Sequence, residues 1–180
     1  MNQPADSTDS AAARLRHLNQ YFLEHPVTGP VEGHAPTTTA STPMSLGTLS
    51  HIDASVREII KHTRKANPDA GQAPTRAAAI YDWAREHTAH APEDVQQRRD
   101  VIEYRQYLEH AVRAGDWRKV IRPHRCPECG TFGLMRRGGR ILCTNSKCTD
   151  TDGLSTTVTL ARLAHEHVTG RKNLRRTRTT

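Results

Sequence analysis

Aromatic side chains are scarce in this sequence, with two Phe, two Trp and four Tyr among 180 residues. Only 35% of residues are hydrophobic, which argues against one large core and for two smaller apolar clusters joined by polar chain. Lysine is scarce too. Only Lys61, Lys65, Lys119, Lys147 and Lys172 stand among 26 basic residues, an arginine bias that fits a GC-rich coding genome. Nowhere do about 18 apolar residues run together, which excludes a membrane-spanning helix, and no membrane partner is expected. The opening Met1-Asn2-Gln3-Pro4-Ala5-Asp6 has neither a basic stretch nor an apolar one. No secretory signal is therefore expected, and a reducing cytoplasm is the expected compartment. The eleven histidines are scattered, with no His-Glu-x-x-His spacing. A nucleophile–base pair, a phosphate-cradling glycine loop and a paired-carboxylate motif are missing as well. The expectation is a non-enzymatic protein without a small-molecule substrate.

What the chain does have is uneven charge. Residues 1–117 hold 12 basic and 15 acidic side chains, a balance of −3, whereas residues 118–180 hold 14 and 4, a balance of +10. Four thiolates on one Zn²⁺ would lower the second figure to about +8. Such asymmetry points to an anionic partner for the C-terminal part.

The pattern along the chain predicts a mainly α fold with a small β zinc ribbon. An amphipathic helix is expected within 1–25, with Asp9 or Ser10 as cap, Leu15, Leu18 and Phe22 as its stripe and Pro26 as its stop. Residues 26–49, rich in Pro, Gly and Thr, read as a flexible linker. A helical region is expected over 50–115 in three pieces. Ser50 and Asp53 form a candidate capping box ahead of Ile52, Val56, Ile59 and Ile60. A second helix spans about Thr75 to His90 with Ile80, Trp83 and Ala84 inward. The third begins near Pro92, carries Val101, Tyr104, Leu108, Ala111 and Val112, and ends at Gly115. Trp117, Val120 and Ile121 read as a short strand entering a zinc ribbon over 116–155. A short helix and basic tail complete the chain over 156–180: Thr157 or Thr159 caps Leu160, Leu163, Ala164 and Val168, and Gly170 ends the helix.

All four cysteines fall between positions 126 and 148: Cys126-Pro-Glu-Cys129-Gly130, then, thirteen residues on, Cys143-Thr-Asn-Ser-Lys-Cys148. Tetrahedral Zn²⁺ takes four soft ligands at about 2.3 Å, and each close pair supplies two from one tight turn. Between the pairs, Phe132, Leu134 and Met135 form one arm, Gly138-Gly139 a turn, and Ile141-Leu142 the return arm of a hairpin. A redox Cys-x-x-Cys belongs on a helix within a βαβ unit, and here a glycine and a hairpin follow. The spacing also differs from the usual iron–sulfur patterns. Disulfides would require export, and a catalytic zinc keeps an open position that four cysteines close. One structural Zn²⁺ held by Cys126, Cys129, Cys143 and Cys148 is the expected cofactor.

Several basic residues surround this site. Arg136, Arg137 and Arg140 flank the hairpin turn, and Lys147 lies in the second ligand loop. Arg171, Lys172, Arg175, Arg176 and Arg178 crowd the tail, which reads either as an arm tracking nucleic-acid phosphates or as a solvated end. Asp150-Thr-Asp-Gly153 lacks the further ligands of a calcium loop. His165 and His167, two apart, do not share a helix face, and His124 is at most a spare ligand.

The stretch from Cys126 to about Val168 resembles the zinc-ribbon segments of uncharacterised proteins from actinobacteria and their phages. The matching features are the Cys-Pro-x-Cys-Gly knuckle, the Cys-x4-Cys pair, the Asp-Thr-Asp-Gly that follows and the Thr-Leu-x-x-Leu-Ala helix opening. The resemblance implies a fold and a metal, not a reaction. Thr159-Leu160-Ala161-Arg162-Leu163-Ala164 also resembles the first helix of a helix-turn-helix, but the chain ends before a recognition helix. The leading expectation is a nucleic-acid-binding accessory or regulatory factor, for DNA or RNA. The alternative is a protein–protein adaptor built on the ribbon and the helices.

Overall fold

The computed structural model describes residues 10–24 and 46–176. The Ser10 hydroxyl accepts the Ala13 N–H at 3.1 Å and so opens α1 (Ala11–Glu24). Leu15 and Leu18 are buried. Asp9, Pro26 and the side chain of Phe22 lie outside the described residues, as do positions 26–45 of the expected linker.

Positions 46–49 belong to α2 (Leu46–Ala66), one turn longer than expected, because that turn buries Thr48. Ser50 is thus inside the helix and caps nothing, while Asp53 pairs with Arg57 on the next turn. A 3₁₀ turn (Ala77–Ala79) leads into α3 (Ile80–His87), shorter than the expected Thr75–His90. Ile80, Trp83 and Ala84 are buried as spaced, with Tyr81 beside them.

Helix α4 (Glu93–Arg113) starts after Pro92, which stands at the cap and not in the first turn. Its end is a Schellman turn: Gly115 N–H donates to Val112 C=O and Asp116 N–H donates to Ala111 C=O at 2.8 Å. This turn delivers the chain into α5 (Trp117–Ile121), where a strand was expected. Trp117, Val120 and Ile121 recur at i, i+3 and i+4, the spacing of a helix, and that geometry prevails over their β propensity.

Three short antiparallel strands follow: β1 (Leu134–Arg137), β2 (Arg140–Cys143) and β3 (Thr157–Val158), in the order β1-β2-β3. Gly138 and Gly139, both at positive φ (55° and 80°), make the two-residue turn between β1 and β2. Register places Leu134 opposite Cys143, and Ile141 opposite both Arg136 and Val158. Leu134, Ile141, Cys143 and Val158 are buried. By alternation Met135, Leu142, Thr157, Arg137 and Arg140 take the opposite face.

Thr159, not Thr157, caps α6 (Leu160–Arg176), its hydroxyl accepting the Arg162 N–H at 3.1 Å. Gly170 does not end this helix. A mid-helix glycine costs only about 1 kcal/mol, and the helical backbone continues through positions 171–176.

Helix α4 is central, with α1, α2, α3, α5 and α6 packed on it and α5 also touching β1. Leu15, Ile59, Tyr81, Leu108, Ile121, Leu134, Ile141 and Leu163 belong to one continuous apolar cluster. The two clusters expected from composition are therefore joined. The result is a mainly helical fold with a small three-stranded sheet and a four-cysteine cluster. No helix among the described residues is long and apolar enough to cross a membrane.

Candidate metal centre

The first ligand turn is closed by two backbone hydrogen bonds: Gly130 N–H to Cys126 C=O at 2.8 Å and Cys126 N–H to Thr131 C=O at 2.9 Å. In the second, Asn145 Oδ1 accepts the Lys147 N–H at 3.1 Å and Asn145 C=O accepts the Cys148 N–H at 2.9 Å. The sheet brings the turns together. Cys143 is the last residue of β2, its N–H bonded to Thr156 C=O, and Thr156 N–H bonds to Cys148 C=O.

The four sulfurs converge, every Sγ lying within 4.8 Å of the other three. The close pairs run between the turns: Cys126 to Cys148 at 3.8 Å and Cys129 to Cys143 at 3.6 Å. A tetrahedron with metal–sulfur bonds of about 2.3 Å has edges of about 3.8 Å. A disulfide needs about 2.05 Å, and all four cysteines are free. The arrangement fits one four-coordinate soft metal ion, with no ligand position left for a reacting water. Among the described residues no other group of His, Cys, Asp or Glu converges in this way.

The surroundings are tuned unevenly. The Thr131 hydroxyl, 3.0 Å from Cys129 Sγ, and the Thr131 backbone amide hold that thiol down at about 6. Burial pushes Cys143 up to about 12. At Cys148 the Thr156 hydroxyl pulls downward, but burial and the neighbouring thiols carry the balance upward. A bound divalent cation deprotonates its thiol ligands outright, whatever the starting order. Thr131 and Thr156 then serve as donors to sulfur, fixing its lone pairs. Neither threonine was singled out by ligand spacing, because a lone hydroxyl near a cysteine has no sequence signature.

Gly133 joins the first turn to β1 at φ 132°, and a Cβ there would run into Thr144 Oγ1. Its C=O also accepts the Thr144 N–H at 3.0 Å, holding the second turn beside the first. Gly133→Ala should destabilise the metal-loaded protein by about 1–3 kcal/mol, the usual cost of a strained backbone position. The check is the thermal midpoint at saturating zinc, and an unchanged midpoint would show that the turn relaxes freely.

The predicted basic residues divide into two groups. Arg136 and Arg137 on β1, Arg140 on β2 and Lys147 in the second ligand turn are exposed. Among the described residues none of these four makes an ion pair, and Arg137 sits directly opposite Arg140 in the register. Positions 171, 172, 175 and 176 fall on the helical backbone of α6, and Arg178 lies outside the described residues. His124 is no spare ligand. Its Nε2 is 3.1 Å from Tyr104 Oη, and burial holds its pKa below the usual histidine value. His167 stacks on Tyr104 with ring centroids 3.9 Å apart, whereas His165 is exposed. Asp150 spends one carboxylate oxygen on the N–H groups of Asp152 and Leu154, closing its own turn.

No protein-family model, curated protein or solved structure matches the chain.

Proposed function

We propose that this chain is a non-enzymatic protein whose structural Zn²⁺, one per chain, builds a ribbon that binds nucleic acid, DNA or RNA, as an accessory or regulatory factor. The observation that carries the reading is the cationic rim of the ribbon. Arg136, Arg137, Arg140 and Lys147 are exposed and without acidic partners among the described residues, and Arg137 faces Arg140 across the strands. Like charges placed directly opposite each other are destabilising, and an anion laid between them relieves that cost. Arginine suits phosphate because its planar fork donates two hydrogen bonds at once. Positions 171, 172, 175 and 176 continue the helical backbone of α6, and their positive charges add to the attraction for a polyanion.

Salt dependence tests this. If the charges of Arg171, Lys172, Arg175, Arg176 and Arg178 each neutralise a phosphate of duplex DNA, log affinity falls against log salt with a slope of about −4.5. Raising salt from about 50 to 200 mM then weakens binding several-hundred-fold, and removal of residues 171–180 flattens the slope. The adaptor reading draws on the exposed side chains of Phe132, Met135 and Leu154 on the ribbon. It would be favoured by a salt-insensitive protein partner together with no DNA or RNA binding at about 50 mM salt.

A further inference from the structure

Four large apolar side chains are conspicuously exposed among the described residues, and three of them, Phe132, Met135 and Leu154, lie on the ribbon. Phe132 is the one aromatic among them, 60% exposed. It is not a loose side chain. The Arg125 guanidinium lies over its ring, 4.4 Å from the centroid, and Arg125 Nη1 also donates to Gly130 C=O at 3.1 Å. An isolated β-bridge joins Arg125 and Phe132 through the backbone. The ring is thus fixed to the first ligand turn, two residues before β1. Beyond Gly133, whose φ of 132° interrupts the pleat, the sheet face bearing Met135 and half-buried Leu142 runs to the opposed pair Arg137 and Arg140. At about 3.3 Å per residue the strip from Phe132 to Arg137 is roughly 17 Å long.

This combination selects among polyanions. A duplex hides its base faces in the stack and offers phosphates and groove edges, so an exposed ring reaches a base face there only by wedging between steps at a cost in unstacking. An unpaired strand offers both, phosphates for arginine and a flat base for stacking on a held aromatic ring. An anionic membrane surface also pairs charge with apolar depth. Membrane-surface binding, however, relies on a helix face bearing several large apolar side chains, whereas here one ring is braced beside a strand.

Resting on the nucleic-acid reading above, we infer that the exposed side chains of the ribbon bind single-stranded nucleic acid, with Phe132, braced by Arg125, as the stacking platform for a base and Arg137 and Arg140, a few residues along the hairpin, as its phosphate contacts.

The test uses the full zinc-loaded chain and fluorescence anisotropy. The probes are an oligothymidylate of about 15 nucleotides and a duplex of the same length, at about 50 mM salt. The single strand should bind more tightly than the duplex. Phe132→Ala should weaken single-strand binding about 5- to 150-fold, the range for loss of one base stack, while leaving duplex binding and zinc content unchanged. Phe132→Trp should retain or improve it. Replacing Arg137 and Arg140 with Ala should flatten the single-strand salt slope by about 1.4, two phosphates' worth. Equal affinity for both probes, or Phe132→Ala without effect on the single strand, overturns the inference and leaves the broader nucleic-acid reading standing. Absence of binding to either probe removes both. Binding to phosphatidylserine–phosphatidylcholine vesicles but not to the oligonucleotides overturns both in favour of a lipid surface.

Discussion

Cys143→Ser, or Cys129→Ser, is expected to abolish stoichiometric zinc and unfold the ribbon from about Arg125 to Val158, while most of the helical circular dichroism survives. The ribbon has little else to hold it. Its buried aliphatic side chains are Leu134, Ile141 and Val158, each contributing about 1.5–3 kcal/mol. Structural Zn²⁺ in small modules contributes an apparent 10–16 kcal/mol coupled to folding. One lost ligand leaves three sulfurs and an open position, and the coupling goes with it. The two substitutions are not equivalent in surroundings. Cys143 is buried at the end of β2, in register with Leu134, whereas Cys129 is half-buried and supported by Thr131. Unfolding should therefore spread furthest from position 143. The helices keep their own contacts, with Ile59, Ile80, Tyr81 and Leu108 packed around α4. Hydrogen exchange read by segment checks this, alongside zinc analysis. Retention of one zinc per chain and of protected amides in β1 and β2 in both variants would refute the assignment.

The ribbon was legible because its determinants are local. Two close cysteine pairs, a Gly-Gly turn between β-prone arms and the Asp150–Gly153 turn each act within a few residues of chain. The Schellman end of α4 was legible for the same reason, with Gly115 standing where the apolar stripe stops. Misreadings arose where local cues competed. Trp117, Val120 and Ile121 carry β propensity at helical spacing, and within five residues propensity and periodicity weigh about equally until burial decides. Gly170 looked like a stop, yet the penalty of one mid-helix glycine is smaller than a continuing helix tolerates. The four metal ligands were readable as a set, but their supporting threonines were not, since those contacts depend on how the turns close. Most hidden of all was a polar stripe on α4. Arg99, Glu103, Gln106 and His110 recur at helical spacing and look like a solvated face, but all four are buried. A helix covered by neighbours on several sides buries polar residues as well, and no single-helix pattern reveals how many neighbours there are.

That stripe leads to a second expected result, a loss of folding stability on mild acidification to which two histidines 59 residues apart contribute. The hydrogen-bond directions follow from Gln106. Its Nε2 donates to Ser55 C=O and to the Glu58 carboxylate, each at 3.0 Å, so its Oε1 must accept. Tyr81 donates its O–H there at 2.9 Å, having no second proton. His110 Nε2, 3.1 Å from the Tyr81 oxygen, must then carry hydrogen and donate, which leaves His110 Nδ1 as an acceptor for His51 Nε2–H at 3.0 Å. Every member is satisfied only while the His110 imidazole is neutral, since His51 donates from Nε2 in either charge state. A proton added at His110 Nδ1 would set N–H against N–H inside the core. Burial first, then His51 and Arg113, hold His110 down at about 3. Burial, with Arg113 and Arg105, holds His51 at about 4. Both values lie below the ordinary 6.5, so the unfolded chain takes up protons first as pH falls. The stability from the neutral pair is complete above about pH 6.5 and declines as pH drops from there toward 4 and 3. Between pH 7.5 and 5.0 the fully buried His110 alone should cost roughly 2 kcal/mol, from about 1.5 pH units at 1.4 kcal/mol each, and His51 adds in the same direction. Acid also competes for the cysteine thiolates, so the measurement is a double difference. Urea unfolding is followed at both pH values in the native chain and in His110→Phe, where zinc makes the same contribution to each. The variant should be less stable at pH 7.5, because His51 and Tyr81 each lose a partner, yet it should lose about 2 kcal/mol less than the native chain on going to pH 5.0. Equal losses in the two proteins would mean that His110 titrates as freely in the fold as in the unfolded chain, and the directed chain from His51 to Ser55 would have to be abandoned.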